Sequence, residues 1–404
     1  MRNPEALAVV DELADRLADP NRLYPHGGVG RTRPQSLLGG AAGIALLHLE
    51  RARCGHGDWD TAREWLSAAS RDELSTGRNA TLFYGAAALG FLTRSIADDL
   101  RRCPPVLVVL DDKTIELTEA RLALAHARLG RGDRPVLAEF DLFRGLSGFG
   151  VYHLRRHPDH DITRAVLRYL VRLTEPLHGD DLPGWWTEVS PNGEVTAEFP
   201  GGHGNIGLSH GIAGPLALLS LALRQGVVVD GHTEAIARIT SWLDRWQQPG
   251  PWWPGVISLA NVATGRIEQS QRQAPRWCYG TVGLARAQQL AGLATGDSGR
   301  ARLAEAAMLG LLRDPVQLDR ITGTGLCHGL AGILQTAWRM AADASTDDIT
   351  AQLPQLCKRL LERLTPPPQD PEFLDGATGI ALALHTLGTG AAPRTGWDSC
   401  LLLV

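Results

Sequence analysis

Lysine is almost missing from this chain: its 404 residues include only Lys113 and Lys358, and arginine carries nearly all the positive charge. With 40 basic and 44 acidic residues the net charge is −4, so no surplus of either sign selects for nucleic acid or an anionic membrane. Long apolar runs are missing too. The stretch 1–20 is charged and amphipathic, without the apolar core of a signal sequence. The apolar end 401–404 is far shorter than the roughly 18 residues a membrane helix requires. Cysteine is scarce: Cys54, Cys103, Cys278, Cys327, Cys357 and Cys400 are too few for a disulfide scaffold in a chain this long. In a reducing compartment such cysteines pack, bind metal or react. These absences predict a cytoplasmic protein with no transmembrane segment and no nucleic-acid partner.

Glycine, by contrast, is abundant at 45 residues, and much of it is periodic. A phrase of one glycine, two residues and a second glycine begins at Gly40, Gly85, Gly145, Gly211, Gly280, Gly329 and Gly376. The intervals are 45, 60, 66, 69, 49 and 47 residues. The copy at Gly85 is degenerate, with its second glycine at Gly90. An apolar run follows each phrase, and a helix apolar on every face is a buried one. Between these runs, amphipathic patterns predict helices near 5–18, 58–70, 115–129, 161–174, 232–246, 298–312 and 347–364. The last places Asp347 and Asp348 in its first turn, where the helix dipole favours them. Alternating amphipathic and apolar helices close most simply as an all-α toroid, a double barrel of seven outer and seven inner helices in one domain, 1–404. Two segments rich in Gly, Pro and Trp, 184–202 and 249–275, break the rhythm. They predict short strands or ordered loops over the glycine-turn end, where function usually sits.

If the seven turns are equivalent, residues at one offset from the first glycine form a ring. One place before it stand Gly39, Tyr84, Arg144, His210, Tyr279, His328 and Asp375; two places before stand Leu38, Phe83, Phe143, Ser209, Cys278, Cys327 and Leu374. Only the neighbouring fifth and sixth copies carry cysteine at that level, and His328 adds an imidazole. Three such donors, with no fourth in the same turns, fit a zinc site that keeps one position open. The 49-residue separation is a weak pattern alone; repeat equivalence is what joins the three. His210 occupies the ring position of Tyr279 and His328, so it faces the same central space. Asp141 precedes Gly145 by four residues, the level of Arg276 before Gly280. The other cysteines read as packing residues or exposed thiols, and His203 as a loop residue.

Four motifs carry a family resemblance. They are Asp141-Leu142-Phe143-Arg144-Gly145, Asn205-Ile206-Gly207-Leu208-Ser209-His210-Gly211, Trp277-Cys278-Tyr279-Gly280 and Cys327-His328-Gly329. Together they resemble the LanC-type lanthionine synthetases, the cyclases of lantibiotic biosynthesis, and the resemblance runs through all seven turns. It implies an α/α toroid with Zn2+ held by Cys278, Cys327 and His328, and with His210, Asp141 and Tyr279 as active-site residues. The implied reaction adds a peptide cysteine thiol to a dehydroalanine or dehydrobutyrine, forming the thioether of lanthionine or methyllanthionine. The implied partners are a leader-bearing dehydrated precursor peptide and a separate lantibiotic dehydratase, in the cytoplasm or in a membrane-associated biosynthetic complex. Where the family carries an arginine four residues ahead of the first zinc cysteine, this chain has Ala274. Arg276 is the candidate replacement and Arg272 the alternative. Two rival classes share parts of the pattern: a zinc-dependent protein prenyltransferase, whose site typically includes a carboxylate ligand, and a non-catalytic peptide-binding scaffold with structural zinc.

Overall fold

Fourteen helices of ten residues or more alternate along residues 2–23, 33–96, 104–177, 179, 181–190, 193–194, 197–267 and 272–404, the parts described by a computed structural model. The odd-numbered ones are α1 (Pro4–Arg16), α3 (Trp59–Ala69), α5 (Pro105–Arg131), α7 (Asp161–Leu173), α9 (His232–Arg245), α11 (Ser298–Leu312) and α13 (Leu353–Glu362). They form the outer layer. The even-numbered ones, each opened by a glycine phrase, are α2 (Ala41–Arg53), α4 (Ala86–Ile96), α6 (Leu146–Arg156), α8 (Ala213–Arg224), α10 (Thr281–Thr295), α12 (Leu330–Asp343) and α14 (Ala377–Thr389). Each inner helix packs on the next, and α14 packs back on α2, so the ring closes as an α/α toroid. None of the described helices is long and apolar enough to cross a membrane.

The two layers follow from composition. Inner α14 buries every residue from Ala377 to Gly388, whereas outer α7 buries only the face carrying Ile162, Val166, Leu170 and their neighbours. Outer helices take side-chain caps, such as Asn3 for α1 and Asp58 for α3. Five inner helices are capped by a bare glycine, α8 by Ile212, and in α12 carbonyls of the preceding loop satisfy the first N–H groups: Leu330 donates to Gly323, Ala331 to Thr324 and Gly332 to Gly325. That folded-back loop explains the second glycine of the phrase. A Cβ at Gly283 or Gly332 would run into the carbonyl oxygen of Trp277 or Leu326. In the degenerate copy the matching position is Ala88, and Gly90 serves another purpose, leaving room for the Tyr152 hydroxyl.

Three sequence expectations shift. Among the outer helices, each inner helix packs most extensively on the one after it, and α1 completes the last pair by packing on α14. The packing unit is therefore inner-then-outer, and the first helix of the chain seals the ring. Helix α5 begins at Pro105, well before the expected 115, because its pattern is inverted there. Val106, Val108 and Val109 are exposed, while Asp111, Thr114 and Thr118 are buried and hydrogen-bonded, Asp111 to Tyr152 and Arg156. The last outer helix begins at Leu353, after a 3-10 turn at Thr350–Gln352. Asp347 and Asp348 thus precede it, and Asp348 pairs with Arg313 at 3.2 Å.

A segment near the carboxyl terminus enters the ring. Residues 395–403 run into it and touch inner helices from within. Thr395 bonds Glu50 of α2, Asp398 bonds Gln335 and Arg339 of α12, and the carbonyl of Leu403 accepts from Arg286 of α10. Asp398 is fully buried and held by two nitrogens of Arg339 at 2.6 and 2.8 Å, so removing either partner costs about 3–5 kcal/mol. Cys400 and Cys357 are both buried packing residues; Cys103 lies outside the described residues.

Two buried histidines tie stability to pH. His48 donates from Nε2 to the Leu17 carbonyl at 3.0 Å, and His153 bonds Thr118 Oγ1 at 2.8 Å. Burial pushes His48 down to about 4 and His153 down to about 3, from 6.5. Between these values and 6.5 the unfolded chain takes up protons that the folded chain refuses. Stability is therefore complete above pH 6.5 and falls with pH toward 4, by roughly 1.4 kcal/mol per unit for each histidine. Thermal unfolding from pH 7 to 4 should show Tm falling, with a shallower slope in His48→Gln; equal slopes would contradict this.

Candidate metal centre and active site

The glycine turns are equivalent in hydrogen bonding as well as in sequence. In five of the seven neighbouring pairs among the described residues, the N–H three places before the first glycine donates to the carbonyl two places before it in the next copy. Leu208 donates to Cys278 at 3.0 Å, Leu142 to Ser209 at 3.0 Å, and Phe373 to Leu38 at 2.8 Å across the closing seam. This belt holds the expected site residues at one level of the ring.

Cys278, Cys327 and His328 do come together, with one ligand atom from each within 4.8 Å of the others. Cys327 Sγ lies 3.7 Å from His328 Nε2. Tetrahedral zinc with bonds of about 2.3 Å to sulfur and 2.0 Å to nitrogen needs edges of roughly 3.5–3.8 Å, and the Cys327–His328 separation matches one of them. Both cysteines are buried, at 3% and 6% exposure, and His328 is exposed, which leaves the open side toward solvent. A hydrogen bond from Cys327, with His328 beside it, holds the Cys278 thiol well below its usual range. The same sharing pushes Cys327 up.

One residue of this group went unassigned in the sequence. Asp375 accepts from His328 Nδ1 at 3.0 Å through Oδ2 and from the His328 backbone N–H at 3.2 Å through Oδ1. That fixes the ring with Nε2 toward the cysteines, as the outer carboxylate does in carboxylate–histidine–metal triads. It also pushes His328 up to about 10, with Cys278 contributing. Asp375 stands in the ring position of His328 one repeat on; the register contained the signal, but a pairing between successive copies cannot be read from it. The carboxylate is outside the three-donor cluster, unlike the carboxylate ligand expected of a prenyltransferase.

The second expected group also assembles. His210 Nδ1 and Asp141 Oδ2 are 2.7 Å apart, and Asp141 is fully buried. Its Oδ1 accepts from the N–H groups of Arg144 and Gly145 at 2.6 and 2.8 Å, so the turn orients the carboxylate. With Nδ1 engaged, His210 presents Nε2 to the central space. Phe143 lies against the imidazole with ring centroids 5.2 Å apart, and Tyr279 lies 6.4 Å away on another side. Burial pushes Tyr279 up to about 12, keeping the phenol protonated.

Asn205 lies just past the first insertion, in a strand that continues it. Strand β1 (His203–Asn205) pairs antiparallel with β2 (Val256–Ser258) of the second, so the two insertions form one cover over the turns. Asn205 donates from Nδ2 to Tyr279 Oη at 2.9 Å and accepts from the Gly207 N–H at 2.9 Å. Tyr279 thereby keeps its own hydrogen free to donate. His203 is in the strand, buried and bonded to the Val189 carbonyl, not in a loop. Of the two arginines, Arg276 is exposed and close enough to favour the thiolate at both cysteines. Arg272 donates instead to the Gly250 carbonyl at 2.9 Å and fastens the second insertion.

Comparison with known proteins agrees with this architecture. The nisin biosynthesis protein NisC of Lactococcus lactis subsp. lactis is 22% identical over 274 residues, 66% of this chain and 64% of that protein, so the alignment spans just under two thirds of the relative. A solved structure titled nisin cyclase superposes with a TM-score of 0.77 at 19% identity, covering 99% of this chain and 97% of the other, which establishes a shared fold. The family described as lanthionine synthetase C-like protein matches residues 32–402, from the loop before the first glycine turn to the segment that fills the ring. With the match spanning all seven turns, this chain belongs to the lanthionine synthetase C-like family.

Proposed function

We propose that this protein is a zinc-dependent peptide cyclase that joins cysteine thiols to dehydroalanine or dehydrobutyrine within one precursor peptide. The observation that carries this reading is the convergence of Cys278, Cys327 and His328 at the level of the His210–Asp141 pair. Family membership and the nisin-related matches support it. The substrate is a dehydrated, leader-bearing peptide, and a separate dehydratase supplies the alkene.

In this reading Cys278, Cys327 and His328 hold the ion. Held there, the ion would supply Lewis acidity that lowers the pKa of a substrate thiol from about 8.5. The C–S bond forms at the alkene β-carbon, and the π pair moves toward the neighbouring carbonyl to give an enolate. Tyr279, protonated and free to donate, and the Arg276 guanidinium stabilise that oxygen. His210 then delivers a proton from Nε2 to the α-carbon, while Asp141 holds Nδ1 and fixes the orientation of the ring. The thiol proton lost and the α-carbon proton gained balance, so no co-reactant is consumed.

Mass spectrometry with a thiol-blocking reagent tests the activity directly. After incubation with a dehydrated precursor, the peptide mass should be unchanged and its blockable thiols lost. Thiols that stay fully blockable with intact enzyme would sink the reading. Asp375→Asn should fold normally and bind zinc 10- to 100-fold more weakly, by an amount typical of outer-carboxylate losses, as read by chelator competition.

A further inference from the structure

The end of the ring opposite the glycine turns holds a second gathering of soft and borderline donors. Glu50 and Cys54 are one turn apart at the carboxyl end of α2, and His385 comes from α14, the inner helix that closes the ring against α2. A carboxylate oxygen, the thiol sulfur and a ring nitrogen from these three lie within 4.8 Å of one another. A second imidazole adjoins them: His56 Nδ1 is 3.1 Å from His385 Nε2. The local fold accounts for that approach. Helix α2 ends on Cys54, Gly55 takes φ 74°, and the N–H groups of Gly55 and His56 return to the carbonyls of Ala52 and Arg51. This Schellman ending reverses the chain and carries His56 to His385.

We infer that Glu50, Cys54 and His385, with His56 beside the His385 ring, form a second metal site, separate from Cys278, Cys327 and His328, for a divalent cation of the zinc class. Tetrahedral zinc with bonds of about 2.0 Å to nitrogen or oxygen and 2.3 Å to sulfur has edges of roughly 3.3–3.5 Å between such pairs. The 3.4 Å between Cys54 Sγ and Glu50 Oε1 corresponds to a sulfur–oxygen edge, and His385 completes the three-donor set within 4.8 Å. The carboxylate is already oriented. Oε2 accepts from the Thr395 N–H and hydroxyl, and Oε1 accepts from the Arg394 N–H and the Cys54 thiol. On binding, the thiol proton leaves to solvent, and the Oε1 lone pair that had accepted it turns to the cation.

Arg51 pairs with Asp11 at 2.6 Å, while Arg53 and Arg394, which donate to the carbonyls of Ser95 and Arg53, lie near enough to favour the Cys54 thiolate that a cation would bind. A cavity of about 230 Å³ bordered by Cys54, His56, Gly388 and Arg394 gives an ion access. The role is structural. The site would clamp α2, α14 and the 394–395 strap at the seam where the first and last inner helices meet.

Metal content after zinc saturation and desalting tests this. The wild-type protein should hold two equivalents, Cys278→Ser/Cys327→Ser one, and the same variant with Cys54→Ser none. In Cys278→Ser/Cys327→Ser, cobalt(II) should give the near-ultraviolet band of a single thiolate ligand and zinc should raise Tm; both effects should vanish on adding Cys54→Ser. Serine keeps a donor to Glu50, and circular dichroism without metal verifies folding. A single equivalent that survives loss of Cys278 and Cys327 but not of Cys54 supports this site even if the first site takes no metal. Metal content indifferent to Cys54→Ser in every background overturns it.

Discussion

Cys278→Ala or Cys327→Ala should remove one equivalent of zinc and cyclisation together. Each variant leaves two of three protein ligands, in a site whose remaining position is reserved for substrate. At pH 7 a free cysteine with a pKa near 8.5 is only about 3% thiolate, so losing the means of deprotonation alone costs about 30-fold. Loss of the fixed position of the nucleophile adds to this, and the combined fall should reach about 10³-fold. Both cysteines are small and sit in a well-hydrogen-bonded turn, Cys327 donating its N–H to Leu374 at 3.0 Å, so the variants should still fold. Metal analysis with the thiol-blocking assay reads both effects. Full zinc and full activity in both variants would rule out the site.

His210→Ala should separate chemistry from metal binding. Zinc content and Tm should match the parent, while turnover falls by roughly 10²- to 10⁴-fold, the usual range for a positioned acid or base. The matching variant at Asp141 must be chosen with care. Asp141→Ala would leave the N–H groups of Arg144 and Gly145 without their acceptor, at about 1–3 kcal/mol each, so a loss of activity would be confounded by a loosened turn. Asp141→Asn keeps that acceptor and replaces only the oxygen facing His210 Nδ1 with a donor. It should therefore retain zinc and stability and lose turnover through a misoriented imidazole. Wild-type turnover in His210→Ala would remove it from the mechanism. If Asp141→Asn were fully active, the pair would be packing rather than proton transfer.

Most of the ring could be read from the chain because its signals are local. The glycine phrases mark every inner helix start, and amphipathic spacing marks the outer helices within a few residues, except where it inverts. At the start of α5 the buried face carries Asp111, Thr114 and Thr118 while valines face out, so hydrophobic periodicity misplaces the beginning by ten residues. Tertiary hydrogen bonds make that inversion stable, and no local rule reports them.

The site divides along the same line. Cys278, Cys327, His328 and His210 share a register with their glycines, and a repeat turns register into spatial position without any knowledge of long-range contacts. Asp141 follows from the same turn. Asn205 reaches Tyr279 only because two insertions pair as strands, and Asp375 meets His328 only because successive turns lie side by side. The seam cluster joins Glu50 and Cys54 to His385 across more than 300 residues, and the filled bore depends on where 395–403 runs. The sequence by itself determined the repeat, the layers and the residues at the turn level, because those depend on spacing within a copy. Closure into a toroid was already the simplest reading of the repeat, but the filling of the ring and the partners of each site residue were decided only in the tertiary structure, since they depend on contacts between copies that no spacing encodes.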